Sequence, residues 1–294
     1  GKQALAKQYA PPLNTPDWPW TRRLTAYGEE IARAIAATHL KQPPLDAVSR
    51  DVELPNASKL FGNVWRFEDR QRVDELPGFA EGRFWVQDAA ATLPAHLLGD
   101  VNGSRVIDLC AAPGGKTAQL AAAGAQVIAV ERKAPRLARL KENLDRLHLN
   151  ATLLNEDVRD VRLEAAPFVL LDAPCSATGT IRRHPELPWI KDASDVTLCQ
   201  ASSGELLECA AGLVAAGGLL VFAVCSLELE EGPEQIASFL GRNPDFERVA
   251  IMPGDIFGRS EFIDANGDLR TLPCHLAAQG GMDGFYAARL RRGS

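Results

Sequence analysis

One acid and two thiols stand where this sequence can do chemistry. The apolar run Phe168-Val169-Leu170-Leu171 leads into Asp172-Ala-Pro-Cys175-Ser-Ala-Thr-Gly179. A second apolar run, Leu219-Leu-Val-Phe-Ala-Val224, ends at Cys225. Both runs predict strands. Their polar endings fall where ligands bind in open α/β sheets, beyond the carboxyl ends of the strands. Pro174 fixes its own φ and restricts Ala173, which holds the first loop in one shape.

If the substrate is a pyrimidine, this set suits covalent catalysis. A thiolate adding to C6 turns the ring into an enamine with a nucleophilic C5, splitting one hard step into two. An acid such as Asp172 can protonate or hydrogen-bond ring N3 during attack, and a base must then remove the C5 proton so that the thiol leaves. A free thiol has a pKa of ~8.5, so the attacking cysteine needs a local means of ionising. For Cys199, Cys209 and Cys274 the plainer role is that of a small core hydrophobe. For Cys110 it is packing or backbone shape. Cys175 and Cys225 differ because each ends a strand and is followed by Ser.

A second loop follows the strand-like run Val106-Ile-Asp-Leu109. It reads Cys110-Ala111-Ala112-Pro113-Gly114-Gly115-Lys116-Thr117. Small residues and two glycines let a ligand approach the backbone. The helix that follows offers free N–H groups to a carboxylate or phosphate. This is neither the G-x-G-x-x-G dinucleotide fingerprint nor a phosphate-binding P-loop. Glu131 ends the next strand, where an acid suits the two hydroxyls of a ribose. Asp157 follows the strand after that and could reach an adenine amine. A nucleoside with a short charged tail fits these sites, which points to S-adenosylmethionine.

The elements that must position these residues alternate. Strands are expected at 105–109, 126–130, 151–154, 168–171 and 219–224, with short ones near 247–251 and 285–290. Helices are expected at 116–123, 134–147, 193–214 and 230–240, after one that begins at Gln87-Asp88. Alternation of this kind predicts a mostly parallel sheet with helices on both faces. Before it, residues 1–20 read as a Pro-rich extended lead-in (Pro11, Pro12, Pro16, Pro19), with Trp18 and Trp20 as anchors. Residues 21–40 read as a helix, 45–60 as room for a strand or two, and 79–86 as an aromatic turn. The division expected is residues 1–80 as a linker or RNA-recognition module and 81–294 as the catalytic domain.

With 294 residues and 46% hydrophobic, the chain can bury a large core. No apolar run approaches the ~20 residues of a membrane helix, and no signal peptide opens the sequence. A cytoplasmic location is expected, with its six cysteines reduced. They form no C-x-x-C pair, so no metal is expected. A net charge of −6 argues against a bulk polyanion binder. Local basic faces remain at Arg132, Lys133, Arg136, Arg139 and Lys141, at Arg182, Arg183 and His184, and at Arg22 and Arg23. Each is read either as a solvated face or as a contact for phosphate.

The motifs Asp108-Leu-Cys-Ala-Ala-Pro-Gly-Gly-Lys116-Thr, Leu171-Asp-Ala-Pro-Cys-Ser-Ala-Thr-Gly179 and Val224-Cys-Ser226 resemble the RNA cytosine-5 methyltransferase family. The likeness is to its bacterial small-subunit ribosomal RNA branch (Sun, Fmu, RsmB-like). Arg182-Arg-His-Pro-Glu186, Asp283-Gly-Phe-Tyr-Ala-Ala-Arg-Leu290, Val86-Gln-Asp-Ala-Ala90 and Pro43-Pro-Leu-Asp46 fit as well. The resemblance implies a Rossmann-like fold with a seven-stranded sheet, one strand antiparallel near 285–290. It implies an S-adenosylmethionine pocket lined by Cys110, Ala111, Ala112, Pro113, Gly114, Gly115, Lys116, Glu131, Asp157 and Asp172, with Arg136 nearby. Cys225 would be the nucleophile, Cys175 would assist β-elimination and Asp172 would contact the cytosine. The substrate would be structured RNA, 16S ribosomal RNA foremost, and the enzyme a monomer. The same chemistry on transfer RNA and a non-catalytic ribosome-assembly factor are the alternatives. Val224 stands where the family usually has Thr. Close members also carry a helical, antitermination-factor-like RNA-binding domain, and this sequence begins at the region that follows it.

Overall fold

The structure is a computed structural model that describes residues 14–50, 53–67 and 72–294. Pro11 and Pro12 lie outside the described residues. Helix α1 (Asp17–His39) starts earlier than its apolar spacing predicts, so the extended lead-in ends at residue 16. Pro16 and Pro19 sit at its N-cap and first turn, where a missing N–H breaks no helical bond. The helix breaks at Gly28, whose φ of 77° and ψ of 169° are not helical. Trp18 does anchor this segment, donating from Nε1 to Pro188 O at 2.9 Å. Next come β1 (Leu45–Ser49), β2 (Ala57–Phe61), β3 (Val64–Phe67) and β4 (Phe84–Val86), paired antiparallel in the order β2-β3-β1-β4. β4 occupies part of the expected aromatic turn and lies past residue 80.

The larger part alternates as expected. It comprises α2 (Ala89–His96), β5 (Arg105–Leu109), α3 (Gly115–Ala122), β6 (Gln126–Val130), α4 (Ala134–Leu147), β7 (Thr152–Leu154) and β8 (Ala166–Asp172). There follow α5 (Leu187–Ile190), α6 (Ala193–Gly212), β9 (Val214–Val224), α7 (Pro233–Arg242), β10 (Phe246–Arg248), β11 (Leu269–Thr271) and β12 (Phe285–Arg292). The sheet runs β10-β12-β9-β8-β5-β6-β7, with β11 also on β12. It therefore has eight strands rather than seven. β10 pairs with residues 290–292 of β12 and β11 with residues 285–287, so the two share the outer lane. β5 to β9 are mutually parallel, and β12 runs antiparallel to β9.

The two faces of this sheet follow from the period of a strand. Val106, Leu170 and Val221 point into a core shared with Leu93 of α2, Leu120 of α3 and Leu140 of α4. Ile107, Leu171 and Phe222 point the other way, onto Leu207 of α6 and Phe239 of α7. Each such side chain contributes about 1.5–3 kcal/mol on burial. Slipping one strand by a residue would exchange its faces, so the register is strongly fixed.

That register aligns the carboxyl ends. Leu109 pairs with Leu171, and Asp172 with Ala223. Cys110, Asp172 and Cys225 therefore lie along one edge. The loop after β8 is sewn to its neighbours through Gly179, which donates to Cys225 O at 3.1 Å and accepts from Gly284 N at 2.9 Å. A Cβ at Gly179 would lie 1.9 Å from Gly284 O, so no side chain fits. Replacing Gly179→Ala is expected to lower Tm on the order of 5 °C, the consequence of about 1–3 kcal/mol of overpacking. A thermal melt indistinguishable from that of the parent protein would contradict this packing.

Candidate active site

Asp172 ends β8, and its Oδ2 accepts from Lys116 Nζ at 2.7 Å. Lys116 is buried in the first turn of α3, with its ammonium 5.2 Å from the ring centre of Phe285. Cys225 lies two residues beyond Ala223, and its sulfur is 3.5 Å from that of Cys175. Cys225 opens onto a cavity of about 460 Å³ that Gly114, Gly115, Lys116, Asp172 and Arg183 also line. Cys175 is half-buried. Its hydrogen bond with Cys225, together with burial, holds its thiol well above the usual range.

The glycine loop forms the other wall of the same cavity, which Ala111, Ala112 and Pro113 help to line. Gly114 has φ 104°, and a Cβ there would come 2.9 Å from Leu140 Cγ. A smaller cavity of about 130 Å³ adjoins β6 and is lined by Cys110, Glu131, Asp157 and Pro174. Arg136 lines both cavities, lies 3.2 Å from Glu131 Oε2 and donates to Ala112 O. Glu131 is buried. Its Oε1 accepts from Lys133 N at 2.9 Å, while Oε2 has no hydrogen-bond partner. Asp157 accepts from the backbone N–H and the guanidinium of Arg159, which hold its carboxyl below the usual range. Burial pushes the Cys110 thiol up to about 12, and the Asp172 and Glu131 charges add to the effect, so this sulfur is a poor nucleophile.

A model of the family described as 16S rRNA methyltransferase RsmB/F matches residues 95–291. The chain belongs to this family. A Ribosomal RNA small subunit methyltransferase B from Pseudomonas putida is 45% identical over 225 residues, 74% of this chain and 49% of that protein. The protein of the same name from Photorhabdus laumondii is 34% identical over 298 residues, 94% of this chain and 66% of that one. The chain thus spans about half to two thirds of the length of the curated relatives it matches. Among solved structures, NSun6 from Pyrococcus horikoshii with SFG superposes with a TM-score of 0.79 at 18% identity, covering 95% of this chain and 98% of that one. A methyltransferase homolog protein from the same organism gives 0.74 at 24% identity, covering 92% and 93%. These two show the fold.

In this RsmB/F-family chain the basic run after Cys175 is divided: Arg183 and His184 are exposed and Arg182 is not. Arg182 is buried and paired with Asp88 and Asp283. Arg183 donates from Nε to Asp283 Oδ2 at 2.8 Å while lining the cavity beside Cys225. Arg22 is paired with Glu228 and Glu230, and Arg23 is buried. Arg132 and Lys133 just before α4, and Arg139 and Lys141 on it, do lie exposed. Arg183 and Phe285 also line the site; both lie in stretches that the sequence singles out, 182–186 and 283–290, without a site role assigned to either. Among the described residues no group of His, Cys, Asp and Glu could hold a metal ion, and no helix is long and apolar enough to cross a membrane.

Asp108 lies beneath the glycine loop. Its Oδ2 accepts from Thr117 Oγ1 at 2.6 Å, and its Oδ1 has no partner. Burial pushes its carboxyl up to about 7. The folded protein therefore keeps a proton that the unfolded chain releases near pH ~4. This contribution is complete below that pH and is lost as pH rises through about 7. Relative to Asp108→Asn, the unsubstituted protein should lose up to about 1.4 kcal/mol per pH unit across that window. Urea unfolding at pH 5 and pH 7 reads the difference, and parallel pH profiles would refute it.

Proposed function

We propose that this chain is an S-adenosylmethionine-dependent RNA cytosine-5 methyltransferase that forms 5-methylcytosine in small-subunit ribosomal RNA, 16S RNA in particular. The observation that carries the reading is the sulfur of Cys225, open to a cavity it shares with the glycine loop and the Lys116–Asp172 pair. A pure binding protein needs no pair of thiols 3.5 Å apart at strand ends. The RsmB/F family match supports ribosomal RNA as the substrate.

The cofactor fits the residues present. Glu131 Oε2, which accepts no hydrogen bond and has only the Arg136 guanidinium 3.2 Å away, suits a ribose hydroxyl, and Asp157 lies in the same small cavity. Gly114 keeps the loop close to Leu140, where no side chain has room. When bound there, S-adenosylmethionine supplies an electrophilic methyl group. The chain's own residues do the rest. Cys225, as thiolate, bonds to C6 of the cytosine, and the displaced π electrons make C5 nucleophilic. The Lys116–Asp172 pair stands on the same cavity, able to hold a proton against ring N3. Water takes the C5 proton, the C6–S bond breaks to return the Cys225 thiolate, and Cys175, whose thiol stays protonated, assists this β-elimination by donating a hydrogen bond to the departing sulfur. The target base must leave its stack, at a cost of a few kcal/mol.

The exposed Arg and Lys residues on and just before α4 are proposed as a phosphate-contact face, and residues 1–80 as part of RNA recognition. The protein acts as a cytoplasmic monomer in this reading.

With the full chain, S-adenosylmethionine and small-subunit RNA, Cys225→Ala should reduce methylation by a factor on the order of 10⁴ or more. Cys175→Ala should instead leave a protein–RNA adduct that survives a denaturing gel. Turnover by the Cys225→Ala protein overturns the role assignment. Bisulfite mapping of RNA from a deletion strain identifies the substrate, and loss of a mark in transfer RNA alone would replace the ribosomal reading. Glu131→Ala should weaken S-adenosylmethionine binding roughly tenfold to a hundredfold in calorimetry. No binding by the unsubstituted protein would favour a non-catalytic assembly factor.

A further inference from the structure

We infer that Glu231 is a positioning residue that locks the two cysteine loops into a single working arrangement. The inference rests on the methyltransferase reading above. Glu231 follows β9 and is fully buried. Its Oε1 accepts from the backbone N–H of Ser176 at 2.7 Å. Its Oε2 accepts from the hydroxyls of both Ser176 and Ser226. Ser176 is the residue after Cys175, and Ser226 the residue after Cys225. One carboxylate therefore holds both thiol-bearing loops by their next residue.

The network continues outward. Ser226 Oγ accepts from Glu228 N at 3.0 Å, and Thr178 Oγ1 accepts from Leu227 N at 3.0 Å. Arg270 Nη1 donates to Ser226 O at 2.7 Å. The carboxylate itself is held by the three Ser176 and Ser226 donors, and burial raises its pKa. Sealing an acid away from water in this way is costly, and an apolar group of similar volume could fill the space without that cost. What an apolar group cannot do is fix both loops at once. The 3.5 Å separation of the sulfurs is held by this clamp on one side and by the Gly179–Cys225 backbone bond on the other. A displacement of about 1 Å at a reacting group can cost 10²-fold in rate.

The test uses the full chain, S-adenosylmethionine and small-subunit RNA. Glu231→Ala should lower kcat about tenfold to a hundredfold. KM for RNA and the S-adenosylmethionine Kd should stay within about twofold, because Glu231 lines neither cavity described above. Glu231→Gln keeps the volume and an acceptor for Ser176 N–H, and should restore most of the rate. On RNA carrying 5-fluorocytosine, which cannot lose a proton from C5, covalent adduct should form more slowly in step with kcat. Unchanged kcat in folded Glu231→Ala overturns the inference, as does an equal loss in KM, Kd and kcat. If the Ala variant does not fold, Ser226→Ala decides: a severalfold loss of kcat at constant KM supports the clamp, and no loss removes it. Failure of the methyltransferase reading would look different, with no adduct formed by the unsubstituted protein at all.

Discussion

A buried ionic network ties together the three parts of the chain that frame the site. Asp88 caps α2 by accepting from Ala90 N at 2.9 Å, and it also accepts from Asp283 N at 3.0 Å. Arg182, from the loop after Cys175, bridges Asp88 and Asp283. Arg183 adds a second cation to Asp283, whose carboxyl burial and the Asp88 charge raise to about 6. Charges taken out of water are tolerated only when matched, and removing one partner costs about 3–5 kcal/mol. The start of α2, the cysteine loop and the entry to β12 therefore have one low-energy arrangement. Arg183 emerges from it with its guanidinium on the cavity wall that holds Cys225.

The polar atoms around the two cavities divide in an informative way. Groups that fix shape have their partners within the chain, as Glu231 and Asp283 do. Glu131 Oε2 is buried beside a cavity with no hydrogen bond, and the Arg136 guanidinium 3.2 Å away is its ion-pair partner. That oxygen keeps lone-pair capacity that a ligand hydroxyl can use beside the Arg136 guanidinium. The small cavity thus holds its binding potential in reserve, and the chain's own hydrogen bonds hold the walls still.

Much of this arrangement was legible in the sequence. Parallel strands buried on both faces read as continuous apolar runs, so β5, β6, β8 and β9 and the helices between them announced themselves. So did the placement of Asp172 and Cys225 on one edge. The short strands did not. β11 is the three-residue segment Leu-Arg-Thr, and β3 carries Arg66, whose charge is satisfied by Asp46 rather than by water. Neither shows a periodic pattern. The destination of the charges was also hidden. Arg182 meets Asp283 across 101 positions of sequence, and local composition cannot separate such a residue from a solvated one. Glu231 was equally invisible, because its meaning lies in two serines on different loops.

The two sulfurs are chemically unequal, and the inequality comes from their surroundings. Cys175 sits on the closed side, where its hydrogen bond with Cys225, burial and the nearby Glu231 charge all favour its protonated form. Cys225 is the one that faces the larger cavity, with the Arg183 cation on the same wall. The proposed division of labour gives attack to Cys225, which opens onto the cavity, and assistance to Cys175, which does not line it. Two identical side chains thus stand in different surroundings, and what distinguishes them belongs to the strand ends and not to the sulfur atoms.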